Sequence, residues 1–164
     1  MGGRIPRAQA RRPRRLGRPG HGADLDRGAR VSAYAGDPAC RSLGIALEEV
    51  AAGRARLRMR VTGEMLNGHG IAHGGYLFLL ADAAFAYACN SRGRAALAQS
   101  AQVTFVRPAE AGDELVAEAV ERVRHGRHGV YDVTVRGRGG EVVAEFRGQS
   151  VSVSAGSLAG GRPT

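Results

Sequence analysis

The segment Leu77–Cys89 reads Leu-Phe-Leu-Leu-Ala-Asp-Ala-Ala-Phe-Ala-Tyr-Ala-Cys, and Asp82 is its only charge. A helix that is apolar on every face belongs in the interior of a protein or in a membrane. The apolar stretch from Tyr76 runs for about 14 residues and is broken by Asp82, too short for a bilayer span. The rest of the chain must therefore enclose this helix. A carboxylate inside it loses solvation and needs a partner, a raised pKa or a chemical task. Without a task, Asp82 would face solvent on a narrow polar stripe or pair with an arginine elsewhere.

The enclosing material reads as strands. Arg54, Arg56, Arg58 and Arg60 alternate with Ala55, Leu57, Met59 and Val61, the period-two pattern of a strand with one wet and one buried face. The four arginines read as a solvated face rather than a binding patch. Further strands are expected at Ile45–Val50, Leu97–Val106, Glu114–Arg124, Val130–Val135 and Glu141–Val153, joined by turns at 51–53, 126–129 and 136–140. Asp37-Pro38 predicts an N-cap and first helical position, opening a short helix to about Leu43. A loop is expected over Thr62–Ala72, then the apolar helix from His73 or Gly74 to Asn90, with Gly93 as its C-cap glycine. Successive hairpins imply antiparallel pairing. The expected class is α+β, a curved antiparallel sheet wrapped around one long helix.

At 164 residues the chain suits one domain with a substantial core. All 24 of its Lys-plus-Arg residues are arginine, which with abundant Ala and Gly indicates coding bias more than function. Residues 1–30 hold nine Arg against two Asp, a net of +7, and the remaining residues hold fifteen Arg against thirteen acids, a net of +2. The basicity thus belongs to an Arg/Gly/Pro-rich extension, 1–30, expected to be disordered. It lacks the apolar run of an export signal, and Pro6, Pro13 and Pro19 discourage an amphipathic presequence. A non-essential extension or an upstream mis-assigned start is preferred to a nucleic-acid tether. The domain is expected over 31–155, followed by a flexible tail, 156–164. Cys40 and Cys89 have no metal-like spacing and suit a reducing, cytoplasmic setting.

Chemistry concentrates in Asn67-Gly68-His69-Gly70-Ile71-Ala72-His73-Gly74-Gly75. His69 and His73 stand four apart, but the glycines between predict loop and no third ligand is placed to complete a zinc site. A phosphate loop with its essential lysine is excluded in a lysine-free chain. What remains is the helix start. The N–H groups of Gly74 and Gly75 have no intrahelical acceptors and lie at the positive end of the helix dipole, where they could hold an oxyanion. Asp82 is eight residues on, about 12 Å along the same helix. Both can act on one carbonyl only if Asp82 comes from a second, antiparallel copy, which predicts a symmetric dimer with composite sites.

Met65-Leu66-Asn67-Gly68-His69, His73-Gly74-Gly75, the stretch through Ala81-Asp82 to Asn90-Ser91, Phe105-Val106-Arg107-Pro108 and Phe146-Arg147-Gly148 together resemble the PaaI-type hotdog thioesterases over about residues 33–153. The resemblance implies a hotdog fold and hydrolysis of an acyl-CoA thioester, of the phenylacetyl- or hydroxyphenylacetyl-CoA kind. It implies no metal and no separate cofactor, coenzyme A being part of the substrate. By position, Asp82 matches the catalytic carboxylate, as general base or nucleophile, and Gly74 the backbone donor to the thioester oxygen. Asn67 matches the amide that holds the carbonyl or water, and His73 a supporting loop histidine. Ser100 falls where some relatives place a hydroxyl near the attacking water, or is an ordinary strand serine. Gly75, Arg107, Arg124 and Arg127 are the substrate-binding candidates, the arginines for the CoA phosphates. Relatives of this kind form homodimers and commonly homotetramers. Two other readings stay open: a hotdog hydratase or dehydratase, and a non-catalytic acyl-CoA-binding module whose basic tail engages nucleic acid.

Overall fold

The structure, a computed structural model, describes residues 37–154. The basic extension, residues 31–36 and 155 of the expected domain, and the C-terminal tail lie outside the described residues.

Helix α1 (Pro38–Ser42) starts as expected, with Asp37 Oδ1 accepting from the N–H groups of Ala39 at 2.8 Å and Cys40 at 3.3 Å. Strands β1 (Ala46–Ala51) and β2 (Arg54–Arg60) follow as a hairpin, then a 3-10 turn at Gly63–Met65 and helix α2 (Gly74–Asn90). The remaining chain forms β3 (Ala96–Phe105), β4 (Glu114–His125), β5 (His128–Arg136) and β6 (Val142–Ser152). The strands make one antiparallel sheet in the order β1-β2-β4-β5-β6-β3. The sheet wraps α2, so the chain is α+β with the hotdog arrangement.

Alternation sets the core. Leu57 and Met59 of β2, Leu115, Ala117 and Ala119 of β4, and Val133 and Val135 of β5 face the helix, all at most 1% exposed. On α2 they meet Leu80, Ala81, Ala84 and Ala88, whose small side chains let helix and sheet approach closely. A chain of aromatic rings extends the packing across the sheet. Phe78, Phe146, Phe85 and Tyr131 stand in that order with successive ring centres 5.4, 5.9 and 5.5 Å apart. The space beneath α2 is thereby filled. The outward arginines of β2 are neutralised across strands, Arg56 by Glu48 and Glu118, Arg58 by Glu48 and Arg60 by Glu114.

Two local details differ from expectation. The C-cap of α2 is Ser91, in right-handed helical geometry. Gly93 turns the chain two residues later at φ +85°, its N–H donating to Asn90 O. The reason is side-chain anchoring: Ser91 Oγ accepts from Gly53 N–H at 2.8 Å, and Asn90 exchanges two hydrogen bonds with the backbone of Ala96 at the start of β3. The segment 62–72 is also more ordered than a plain loop, containing the 3-10 turn and a β-bridge between Leu66 and Ala72.

β3 forms one border of the sheet, paired only with β6. Leu97 at its start is 46% exposed, Phe105 at its end 51% and the adjoining Val106 58%. A long border strand with exposed apolar side chains is a template for another chain.

Candidate active site

The loop before α2 is pinned at both ends. His73 N–H donates to Met65 O and Ala72 N–H to Ala109 O, each at 2.8 Å, with Met65 and Ala72 buried. Between these anchors Asn67 organises a turn: its N–H donates to Ile71 O, its carbonyl accepts from Gly70, and its Oδ1 accepts from His69 N–H at 2.8 Å. Gly70 sits at φ +76°, a geometry that only glycine adopts without strain. The result sets Asn67 beside the first turn of α2. His69 and His73 do not converge on a third donor; among the described residues no three His, Cys, Asp or Glu side chains gather as a metal set.

His73 is the N-cap of α2. Its Nδ1 accepts from Gly75 N–H at 3.3 Å, so the proton of a neutral ring resides on Nε2. This engages one of the two glycine donors. Gly74 N–H has no acceptor among the described residues and remains available. Gly74 lines a cleft of about 720 Å³, with Asn67, His73, Gly75 and Arg107 as its polar lining and Ile71, Leu77, Phe78 and Phe105 among its apolar walls. That volume lies within the range of small-molecule sites. Two smaller hollows, about 170 and 280 Å³, lie on the outer face of the sheet among ion-paired side chains.

Asp82 stands half-buried in the middle of α2, with no hydrogen bond or ion pair among the described residues. Burial alone holds its carboxyl above the ordinary carboxylate range. No arginine among the described residues neutralises it. It does not line the cleft, consistent with eight residues of helical rise separating it from Gly74. The two cysteines offer no competing nucleophile. Burial, then the carboxylate of Asp37, pushes the Cys40 thiol up to about 11, and burial followed by the charge of Asp82 pushes Cys89 up to about 12.

Four of the sequence candidates (Asn67, His73, Gly74 and Gly75) are thus brought together within one chain, and Arg107 joins them on the cleft wall. The others are elsewhere. Ser100 is exposed and lies opposite Gln149, on the outer face that turns away from α2. A β-bulge between Ala98 and Ser100 shifts the alternation that simple counting assumes. Arg124 and Arg127 sit around the β4–β5 turn, at the end of the sheet opposite Arg107, and Arg127 Nε donates to Ser152 O. Of the aromatics on α2, Phe85 is core, Phe78 lines the cleft and Tyr76 is half-buried. The residue that sequence reasoning missed is Phe105. A Cβ on Gly74 would lie 2.8 Å from its ring. Its only sequence signal was an aromatic ending a strand just before Pro108.

The thioesterase superfamily matches residues 69–144. The acyl-coenzyme A thioesterase PaaI of Escherichia coli K12 is 47% identical over 117 residues, covering 71% of this chain and 84% of that protein. The chain belongs to the PaaI-type acyl-CoA thioesterases. Among solved structures, the E. coli PaaI protein of the phenylacetic acid degradation operon superposes with a TM-score of 0.77 at 42% identity, covering 80% of this chain and 96% of that one. A mutant of the phenylacetic acid degradation protein PaaI of Thermus thermophilus gives 0.69 at 39% identity, covering 71% and 100%. For a PaaI-type chain the matched region is informative. It takes in the start of α2, Asp82 and Phe105, while Asn67 falls two residues before it.

Proposed function

We propose that this chain hydrolyses an aryl-acetyl or related acyl-CoA, in a site assembled from two copies of the chain. The observation that carries the reading is Asp82, a half-buried carboxylate without a counter-charge among the described residues. In the proposed step a water attacks the thioester carbonyl carbon while Asp82 takes its proton. Gly74 N–H holds the oxyanion at the positive end of α2. The tetrahedral intermediate collapses by breaking the C–S bond, and the CoA thiolate recovers the proton from Asp82. The products are the free acid and CoA. Asn67 and His73 support the carbonyl end of the substrate, His73 by fixing the first turn of α2. Phe78, Leu77 and Ile71 favour an apolar acyl group. Within one chain Asp82 has no hydrogen bond to any histidine among the described residues, and His73 Nδ1 is engaged as the N-cap of α2, which favours hydrolysis over a hydratase's histidine–acid proton shuttle.

Two antiparallel helices related by a two-fold axis would set Asp82 of one copy against Gly74 of the other, and the exposed border strand β3 supplies the surface for that pairing. Arg107 then serves the CoA phosphates from the cleft wall, while Arg124 and Arg127 could reach them only from the second copy. Measured on an acyl-CoA panel that includes phenylacetyl-CoA, Asp82→Asn is expected to lower kcat by about 10²–10⁴-fold. Unchanged turnover would overturn the mechanism. A single turnover in ¹⁸O-water bears on the two roles of the carboxylate: a general base delivers the label only to the product acid, whereas label in Asp82 requires a mixed anhydride that water opens at the Asp82 carbonyl.

A further inference from the structure

Phe105 ends β3 directly over the start of α2. A Cβ on Gly74 would meet Phe105 Cζ at 2.8 Å and Cε2 at 3.1 Å, so the ring rests on bare glycine backbone. Gly74 is not in a left-handed conformation. The approach of this ring, and not backbone strain, is therefore what calls for glycine here. The ring is held by the sheet: Phe105 pairs with Ala144, and the next two N–H groups, of Val106 and Arg107, both donate to Val143 O at 2.9 and 3.2 Å. Phe105 and Gly74 both line the cleft.

A backbone donor bathed in water holds an oxyanion weakly, because water screens it and must be displaced. The edge of an aromatic ring set against the glycine removes that water from one side before substrate arrives. We propose that Phe105 is a positioning residue for hydrolysis, acting through Gly74 by excluding water from its N–H. The inference rests on Gly74 being the oxyanion donor. It makes Gly74 and Phe105 one unit: the glycine admits the ring, and the ring strengthens the glycine's donor.

The test uses the full chain and the fastest-hydrolysed member of a panel from acetyl- to phenylacetyl-CoA. Phe105→Ala is expected to lower kcat by about 10-fold, a fraction of what loss of an oxyanion donor costs. KM, although the ring also walls the cleft, should change by a smaller factor than kcat. Phe105→Tyr, which keeps the ring, should recover most of the loss, and Phe105→Leu only part. Gly74→Ala should cost less in the Phe105→Ala background than in the wild type, because the clash at 2.8 Å is gone. An unchanged kcat, a loss confined to KM, or strict additivity of the two substitutions would overturn the proposal. Asp82→Asn run in parallel separates this from failure of the underlying reading. If Asp82→Asn retains turnover, the site assignment falls; if it loses turnover and Phe105→Ala does not, the role of Phe105 alone falls.

Discussion

Asp82 carries a stability cost that the proposed chemistry would make worthwhile. Burial raises its pKa in the folded chain above the unfolded value. Between those two values the folded state binds more protons than the unfolded state, so stability falls as pH rises through the window. Above it the penalty is fully present, and below it the penalty vanishes. Asp82→Asn should therefore be more stable than wild type at neutral pH by about 0.5–2 kcal/mol, the usual gain when a strained functional group is removed. The gain should shrink as pH drops through the carboxylate range, which denaturant melts at pH 7 and pH 4 would show. Equal stability of the two proteins at pH 7 would contradict the penalty. The same ionisation predicts that kcat/KM rises with pH on an acidic limb lying above the ordinary Asp value of about 3.9. This much was legible in sequence because one charge among apolar residues is a local signal. Phe105 was not legible, since its significance comes from a strand end meeting a helix start across thirty-one residues of chain.

At the scale of elements, patterning read well and register did not. Period-two alternation located every strand to within two residues, and the Asp37 cap located α1. Ser100 failed to join the site because a bulge, invisible in composition, assigns its side chain to the outer face. The cap of α2 was misplaced for a related reason: Gly93 signals a turn, but Ser91 and Asn90 end the helix through bonds to distant strands. Glycine inside β6 has a packing cause as well. A Cβ on Gly148 would lie 2.8 Å from two Phe85 ring carbons, in the middle of the aromatic chain beneath α2. Gly148→Ala is expected to destabilise the fold by about 1–3 kcal/mol through overpacking, measured by urea unfolding. Trimming the ring in the Phe85→Leu background should reduce that penalty.

For the whole molecule, the filled interior has a consequence for where an acyl group can go. With Phe78, Phe146, Phe85 and Tyr131 closing the space between helix and sheet, an acyl chain bound as proposed would have to extend along the outside of α2, where a second copy of the chain would face it. A composite site predicts complementation. Asp82→Asn and Gly74→Val are each expected to be inactive as homodimers, yet random mixing by co-expression should restore about one quarter of wild-type activity, since half the dimers then hold one intact site of two. No recovery would place both groups in a single chain. Removal of residues 1–30 should leave kcat/KM within about 2-fold of the intact chain, since the matched thioesterase region begins only at residue 69. If the border strand β3 carries the proposed pairing, catalysis becomes a matter of mass action. Diluted below the dimer dissociation constant, the enzyme should lose specific activity without unfolding, and substrate spanning both copies should pull it back together. Its abundance would then set the quality of each molecule as well as their number.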